Sequence, residues 1–255
     1  MNRTTFTGAL LLLGHLGAVA AAVAGAWIAA LATLLATHAL FLLGTLVANS
    51  PLFGPVMRSF ETPRREVWLT IDDGPDPRTT PALLDCLAAA GAKATFFVVG
   101  ERAARAPELV ERIRAEGHAV ADHTRTHPHA TFWAALPWRL RREIAPDARL
   151  FRSPVGMSNW FVHALLRRRG TVLVGWSVRG LDGINTPRAQ VVARIERGVA
   201  PGAILALHDA YDAERRGYAP SDVIADVLAA LERRGYRAVV PEPNTLRPAA
   251  VSSAV

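Results

Sequence analysis

Val67-Trp68-Leu69-Thr70-Ile71-Asp72-Asp73-Gly74-Pro75-Asp76-Pro77 decides how the rest of the chain is read. Val67 to Ile71 are β-branched, aromatic or leucine, as suits a buried strand. A Gly-Pro turn ends the run. Between strand and turn stand two adjacent carboxylates. At a strand end they repel each other and lose solvation, so a fold keeps them there only with compensation. A metal ion supplies it, taking one carboxylate as ligand and leaving the other as a base. The simpler alternative is a solvated Asp-Asp-Gly turn.

Outward from this stretch the chain alternates strand and helix. Strands are expected at Ala94–Val99, His118–Asp122, Arg149–Arg152, Thr171–Val178, Ala203–Leu207 and Tyr236–Val240. Helices are expected after Thr79-Thr80-Pro81, from Pro107 to Gly117, and over Trp160–Arg169, Pro187–Val199 and Asp222–Arg234. Asp122-His123-Thr124-Arg125-Thr126-His127-Pro128 carries two histidines four apart. On a helical turn that spacing puts both imidazoles on one face, close enough to share one ion. Phe151-Arg152-Ser153-Pro154-Val155-Gly156, Trp176-Ser177-Val178-Arg179-Gly180-Leu181-Asp182-Gly183 and Leu205-Ala206-Leu207-His208-Asp209 follow. Each stretch falls at the C-terminal end of a strand, which favours a (β/α) barrel of about seven strands over an open doubly wound sheet.

In this order the five stretches resemble the motifs of the polysaccharide deacetylase family, the NodB-homology carbohydrate esterases, over roughly residues 67–240. The resemblance implies a distorted, incomplete barrel and a divalent ion, zinc by its ligand set, on Asp73, His123 and His127. It makes Asp72 the base that takes a proton from water and His208 the acid that protonates the departing amine. Arg152 is expected to pair with Asp72, and Asp182 to orient His208. Val155, Ala206 and Leu207 are expected to line the substrate pocket, with a backbone N–H near Val155 holding the oxyanion. His118, His129 and His163 have no partner at metal-binding spacing.

The N-terminal quarter lies outside the resemblance. No Asp, Glu, Lys or Arg stands between Arg3 and Arg58. That run exceeds both the roughly 20 residues of one membrane helix and the apolar core of a signal peptide, about 7–15 residues. A two-helix hairpin, Phe6–Ala24 and Trp27–Val47 with a turn near Gly25, fits residues 1–50. His15 and His38 are expected as neutral rings bonded to the neighbouring helix. Residues 51–66 read as a linker, 67–241 as the catalytic domain and 242–255 as a flexible tail. Composition agrees with a membrane protein, at 51% hydrophobic and a mean hydropathy of +0.18. The net charge of +7 is almost all arginine, Lys93 being the only lysine. No arginine run is interleaved with aromatics, which speaks against nucleic acid; membrane lipids and a phosphate-bearing substrate suit the charge better. The single cysteine, Cys86, excludes an intramolecular disulfide. Arg3 on one flank and Arg58, Arg64 and Arg65 on the other place the catalytic domain on the cytoplasmic face of a bacterial inner membrane.

The expected activity is removal of an N-acyl group from an amino sugar, lipid-linked if the domain faces inward, or of a surface polysaccharide if it faces outward. An inactive glycan- or lipid-binding relative and an O-acyl esterase are the alternatives. Four departures from the family pattern bear on these. Val155 replaces an aromatic, Arg179 an Asp, Gly183 a Trp and Ala206 a Leu. The last two predict a roomier acyl pocket. Only residues 128–150 separate the second and third motifs, which predicts a shortened helix and exposed apolar surface.

Overall fold

The structure, a computed structural model, describes residues 3–209 and 217–248. Two helices open it, α1 (Arg3–Val23) and α2 (Trp27–Leu46), joined at Gly25 with φ +77°. Both are long and apolar enough to cross a membrane. They approach closely: a Cβ on Gly14 would lie 2.3 Å from Thr37 Oγ1. The rings of His15 and His38 meet edge-on at 5.2 Å. Each Nδ1 bonds its own helix, to the carbonyls of Leu11 and Leu34, and not the neighbour as expected. A helical side chain leans back over the preceding turn, which brings that carbonyl nearest.

The hairpin is packed onto the domain. Thr7 Oγ1 donates to the Leu52 carbonyl at 2.8 Å, Phe41 meets Phe53 at 5.0 Å between ring centroids, and Trp160 covers Gly8. Residues 51–66 are therefore no free linker. They contain β1 (Met57–Phe60), which pairs antiparallel with β10 (Leu246–Pro248) in the stretch expected to be a loose tail. Residues 249–255 of that stretch lie outside the described residues.

The elements between are β2 (Glu66–Asp72), α3 (Thr80–Ala89), β3 (Ala94–Val98), α4 (Gly100–Arg105), α5 (Pro107–Ala115), β4 (Ala119–Asp122), α6 (Pro137–Glu143), β5 (Leu150–Phe151), α7 (Trp160–Arg169), β6 (Val172–Leu173), β7 (Val178–Arg179), α8 (Arg188–Gly198), β8 (Ile204–His208), α9 (Pro220–Arg233) and β9 (Arg237–Ala238). Seven strands form one parallel sheet in the order β6-β5-β4-β3-β2-β8-β7, and β9 pairs with the start of β2. The edge strands β6 and β7 are joined by only residues 174–177, which fixes how far the sheet must curl. The result is the expected distorted, incomplete (β/α) barrel preceded by two apolar helices.

The seam explains why the expected strand over residues 171–178 is two short ones. Val174 N–H bonds Phe151 O on one edge and Ser177 N–H bonds Ile204 O on the other. Gly175 makes the crossing where a Cβ would meet Asn49 Oδ1 at 2.4 Å. β1 lies against both sides, bridging to Val174 through Met57 and to Ala203 through Ser59.

Strand alternation sorts the side chains. Val67, Leu69 and Ile71 of β2 and Leu205 and Leu207 of β8 point outward into the main core beneath α3, α8 and α9. Trp68 and Ile204 point inward and fill the barrel floor with Phe60, Phe97 and Val174. Thr70, Asp72, Ala206 and His208 share that inward parity above them, so the polar residues stack over the floor toward the C-terminal rim.

The segment 128–150 is short, as expected. Its helix α6 packs on α7 through Leu140, Ile144 and Val162 and leaves Trp133, Leu136 and Trp138 exposed. A groove of about 790 Å³, lined by Val98, Val120, Leu150 and Val172, lies open on that side.

Candidate active site

A cavity of about 680 Å³ opens at the C-terminal rim and gathers residues from all five stretches. Asp72 ends β2 and Asp73 follows in a left-handed conformation, φ +76°. That turn separates the two carboxylates. Asp72 Oδ1 accepts from Arg152 Nη1 at 2.7 Å, whereas Asp73 Oδ1 faces His123 Nε2 at 3.5 Å and His127 Nε2 at 3.2 Å.

The histidines do not sit on a helical turn. They lie on a loop after β4 in which Thr124 and His127 have φ +68° and +53°. These left-handed residues fold the loop back so that both Nε2 atoms reach one point, which the i, i+4 spacing achieves in a helix by another route. His123 Nδ1 donates to Arg152 O at 2.9 Å, fixing the ring with Nε2 toward Asp73. The loop hangs on Glu143 at the end of α6, which accepts from Thr126 N–H at 3.0 Å and Thr126 Oγ1 at 2.8 Å.

The donor set fits a divalent ion. One atom each from Asp73, His123 and His127 lies within 4.8 Å of the others. Ligands about 2.1 Å from a tetrahedral ion stand roughly 3.4 Å apart, close to the 3.5 and 3.2 Å from Asp73 Oδ1 to the two Nε2 atoms. Asp73 Oδ1 is buried without a hydrogen-bond partner among the described residues, a state that costs free energy unless a cation meets it. Burial works against the Asp73 carboxylate, but the imidazoles of His123, His208 and His127 outweigh it and hold its pKa below the usual range. Burial depresses His127 to about 4, leaving the ring neutral with a lone pair to give.

Arg152 is wholly buried. Besides Asp72, its guanidinium donates to Thr70 Oγ1 at 2.6 Å, Gly175 O at 2.8 Å and Val174 O at 3.3 Å, and it lies 4.2 Å over the Phe97 ring. These contacts offset the desolvation of the charge. Across the cavity His208 donates Nδ1–H to Asp182 Oδ1 at 2.9 Å, and its backbone N–H to Oδ2 at 2.7 Å. Burial opposes protonation of His208, yet Asp182, with Asp73 and Asp72 behind it, pushes its pKa up to about 9. Val155 lines the cavity with φ +50°, a strained setting for a β-branched residue.

Most of the expected site residues thus converge. Ala206 lines the cavity, but Leu207 does not. It is one residue out of phase, faces the helices and belongs to the outer core. His129, read as ordinary, lines the cavity. Asp209 was not anticipated; buried, it accepts from Thr79 and Thr80 hydroxyls at 2.5 Å each, and its N–H bonds Asp72 O, so it braces the turn that carries Asp73. Arg102, also unforeseen, donates to the Asp73 carbonyl at 2.9 Å. Trp176 and Arg179 complete the wall.

Known proteins resemble this chain in sequence and fold. The family model for polysaccharide deacetylases matches residues 60–170. A chitooligosaccharide deacetylase of Bradyrhizobium sp. (strain ANU 289) is 37% identical over 193 residues, 68% of this chain and 87% of that one. A peptidoglycan-N-acetylglucosamine deacetylase of Bacillus cereus is 32% identical over 195 residues, 71% of this chain and 89% of that one. Among solved structures, a peptidoglycan N-acetylglucosamine deacetylase superposes with a TM-score of 0.66 at 27% identity, covering 75% of this chain and 92% of that one. A curled parallel sheet with paired acids and histidines at one rim, and relatives matched over most of their length, make this chain a hydrolase of the polysaccharide deacetylase family.

Proposed function

We propose that the chain hydrolyses the amide of an N-acylated amino sugar, using a divalent ion, zinc by the chemistry of its ligands, on Asp73, His123 and His127. The observation that carries this reading is the separation of roles in one cavity: a carboxylate paired with a buried arginine, a histidine charged by its own aspartate, and a third set of groups with an orphaned oxygen between two imidazoles. When bound, such an ion polarises a carbonyl and acidifies water. Asp72 accepts the proton of the attacking water at its carboxylate, with Arg152 holding it in place. The Val155 backbone N–H is assigned to the developing oxyanion, Val155 lining the same cavity. His208, protonated near neutral pH, gives its Nε2 proton to the nitrogen as the C–N bond breaks, releasing a carboxylic acid and an amine.

Gly183 and Ala206 leave the acyl side open. A Cβ on Gly183 would come within 3.1 Å of His208 Cε1, so bulk at either position narrows the space beside the acid. Ala206→Leu is expected to shift preference toward smaller acyl groups. Equal acyl preference before and after that change would count against a roomier pocket.

The setting we infer is the inner membrane, with the hairpin spanning it among lipids and the domain facing the cytoplasm. The antiparallel hairpin supports this by bringing Arg3 and Arg58 to the same end. A lipid-linked amino sugar is the substrate that such a site meets; a surface polysaccharide is its counterpart outside. Mass spectrometry of a bacterial lipid extract treated with metal-replete protein tests this beside Asp72→Asn. A lipid-linked sugar that loses an acyl mass only with the unmodified protein supports the reading. Loss from an O-acyl position identifies an esterase, and identical spectra overturn the lipid-linked assignment.

A further inference from the structure

We propose that Arg179 makes the cavity selective for an anionic substrate, an amino sugar that carries a phosphate or a carboxylate; this rests on the hydrolytic reading and names its substrate class. Arg179 ends β7 in register with Ala206 on β8. Val178 faces the helices and joins the outer core, so Arg179 takes the inward parity, and its half-buried side chain lines the cavity. Its guanidinium lies 5.2 Å from the centroid of the Trp176 ring. An aromatic face positions a planar cation without neutralising it.

The acidic groups around it are already engaged. Asp72 belongs to Arg152, Asp182 to His208 and Glu101 to Arg125 at 3.4 Å, while Asp73 Oδ1 faces His123 and His127. Among the described residues no carboxylate lies within ion-pair distance of Arg179, nor of Arg105, which lines the same cavity. The Arg179 charge also acts against a neighbour: the pKa of Arg152 is lowered mainly by burial and further by Arg179. A cation held in a concave wall, unpaired and facing a second buried cation, gains most when a bound anion meets it. The small side chain of Ala206 beside it leaves the approach open. Phosphate and carboxylate oxygens both match the guanidinium fork.

Titration of the full chain in detergent with glucosamine, glucosamine 1-phosphate and muramic acid tests this. None of the three contains an amide, so none turns over. The phosphate is expected to bind roughly tenfold or more tightly than glucosamine, with the advantage shrinking as salt rises. A preference shared by muramic acid identifies either anion as sufficient; one confined to glucosamine 1-phosphate identifies phosphate. Arg179→Gln is expected to collapse the preference to near one, and Arg179→Lys to keep part of it through charge alone. Equal affinities in the unmodified protein overturn the inference without any variant, as does a preference untouched in both variants. A protein that shows the preference yet deacylates nothing keeps the anion site and loses the hydrolytic reading. One that deacylates a neutral oligosaccharide and binds all three ligands equally does the reverse.

Discussion

The two halves of the barrel are built by different means. Around β2, β3 and β8 the strands run five to seven residues, and α3, α8 and α9 press a continuous apolar core onto them. Around β4, β5 and β6 they run two to four residues, the helix between β4 and β5 has only seven, and an open groove lies along β4 and β5. Yet the site draws equally on both. Asp72, Asp73 and His208 come from the covered half, and His123, His127 and Arg152 from the thin one. The thin half has a smaller apolar core and adds directed polar bonds to it. Glu143 carries the histidine loop, Asp122 accepts from Ala145 N–H, and Arg152 ties β5 to β2 and the seam. Dispersion and burial give the covered half stability that is tolerant of detail; hydrogen bonds give the thin half geometry at less area.

The sharpest way to break the contrast is Arg152→Met. It leaves Asp72 buried without its counter-charge and is expected to cost about 3–5 kcal/mol, read by chemical denaturation, with activity lost as well. Next, Leu87→Ala in the covered half is expected to cost about 2–5 kcal/mol while metal affinity stays unchanged. Val120→Ala, facing the groove, is expected to cost about 1 kcal/mol or less. Similar costs for these two would dissolve the distinction.

The thin half is also the acid-sensitive one. His163 on α7 is buried, bonded to Ser158 Oγ, and burial lowers its pKa from 6.5 to about 4. The unfolded chain therefore takes up this proton first. The stability that neutral His163 contributes is full above about pH 6.5 and is lost as pH falls toward 4. The difference in stability between the unmodified chain and His163→Gln is expected to shrink by up to about 3 kcal/mol across that window. Asp209, raised to about 6 by burial, acts oppositely in both proteins and cancels in the difference. Last, Glu143→Ala removes the support of the histidine loop without touching a ligand. Metal affinity is expected to fall about 10–100-fold, measured by chelator competition, with little change in unfolding.

The covered half was also the easier to read. Val67 to Ile71 announce a strand buried on both faces, and adjacent carboxylates at its end announce chemistry, because few folds tolerate such a pair otherwise. The histidines were legible as chemistry but not as backbone, since residue spacing does not reveal that Thr124 and His127 turn left-handed. Leu207 was assigned to the pocket, and parity along β8 sends it the other way. Strands β1 and β10 escaped because each is too short to show a period and is bounded by prolines. Asp209 had a signal, a second acid directly after His208 at a strand end, parallel to Asp72-Asp73. Arg102 had none: it reaches Asp73 from α4, an element that no local pattern marks.

The seam of the barrel has one more consequence. The carbonyls of Val174 and Gly175, where the chain passes from one edge to the other, are held by the same guanidinium that holds Asp72. Closing the circle and seating Asp72 are one event. A lineage of such proteins cannot drift in how the barrel shuts while keeping its chemistry, nor abandon the chemistry at Arg152 and expect the architecture to persist. The wall across the cavity, with Arg179 and Ala206, takes no hydrogen bond from that guanidinium, and that is where change can accumulate as new specificity.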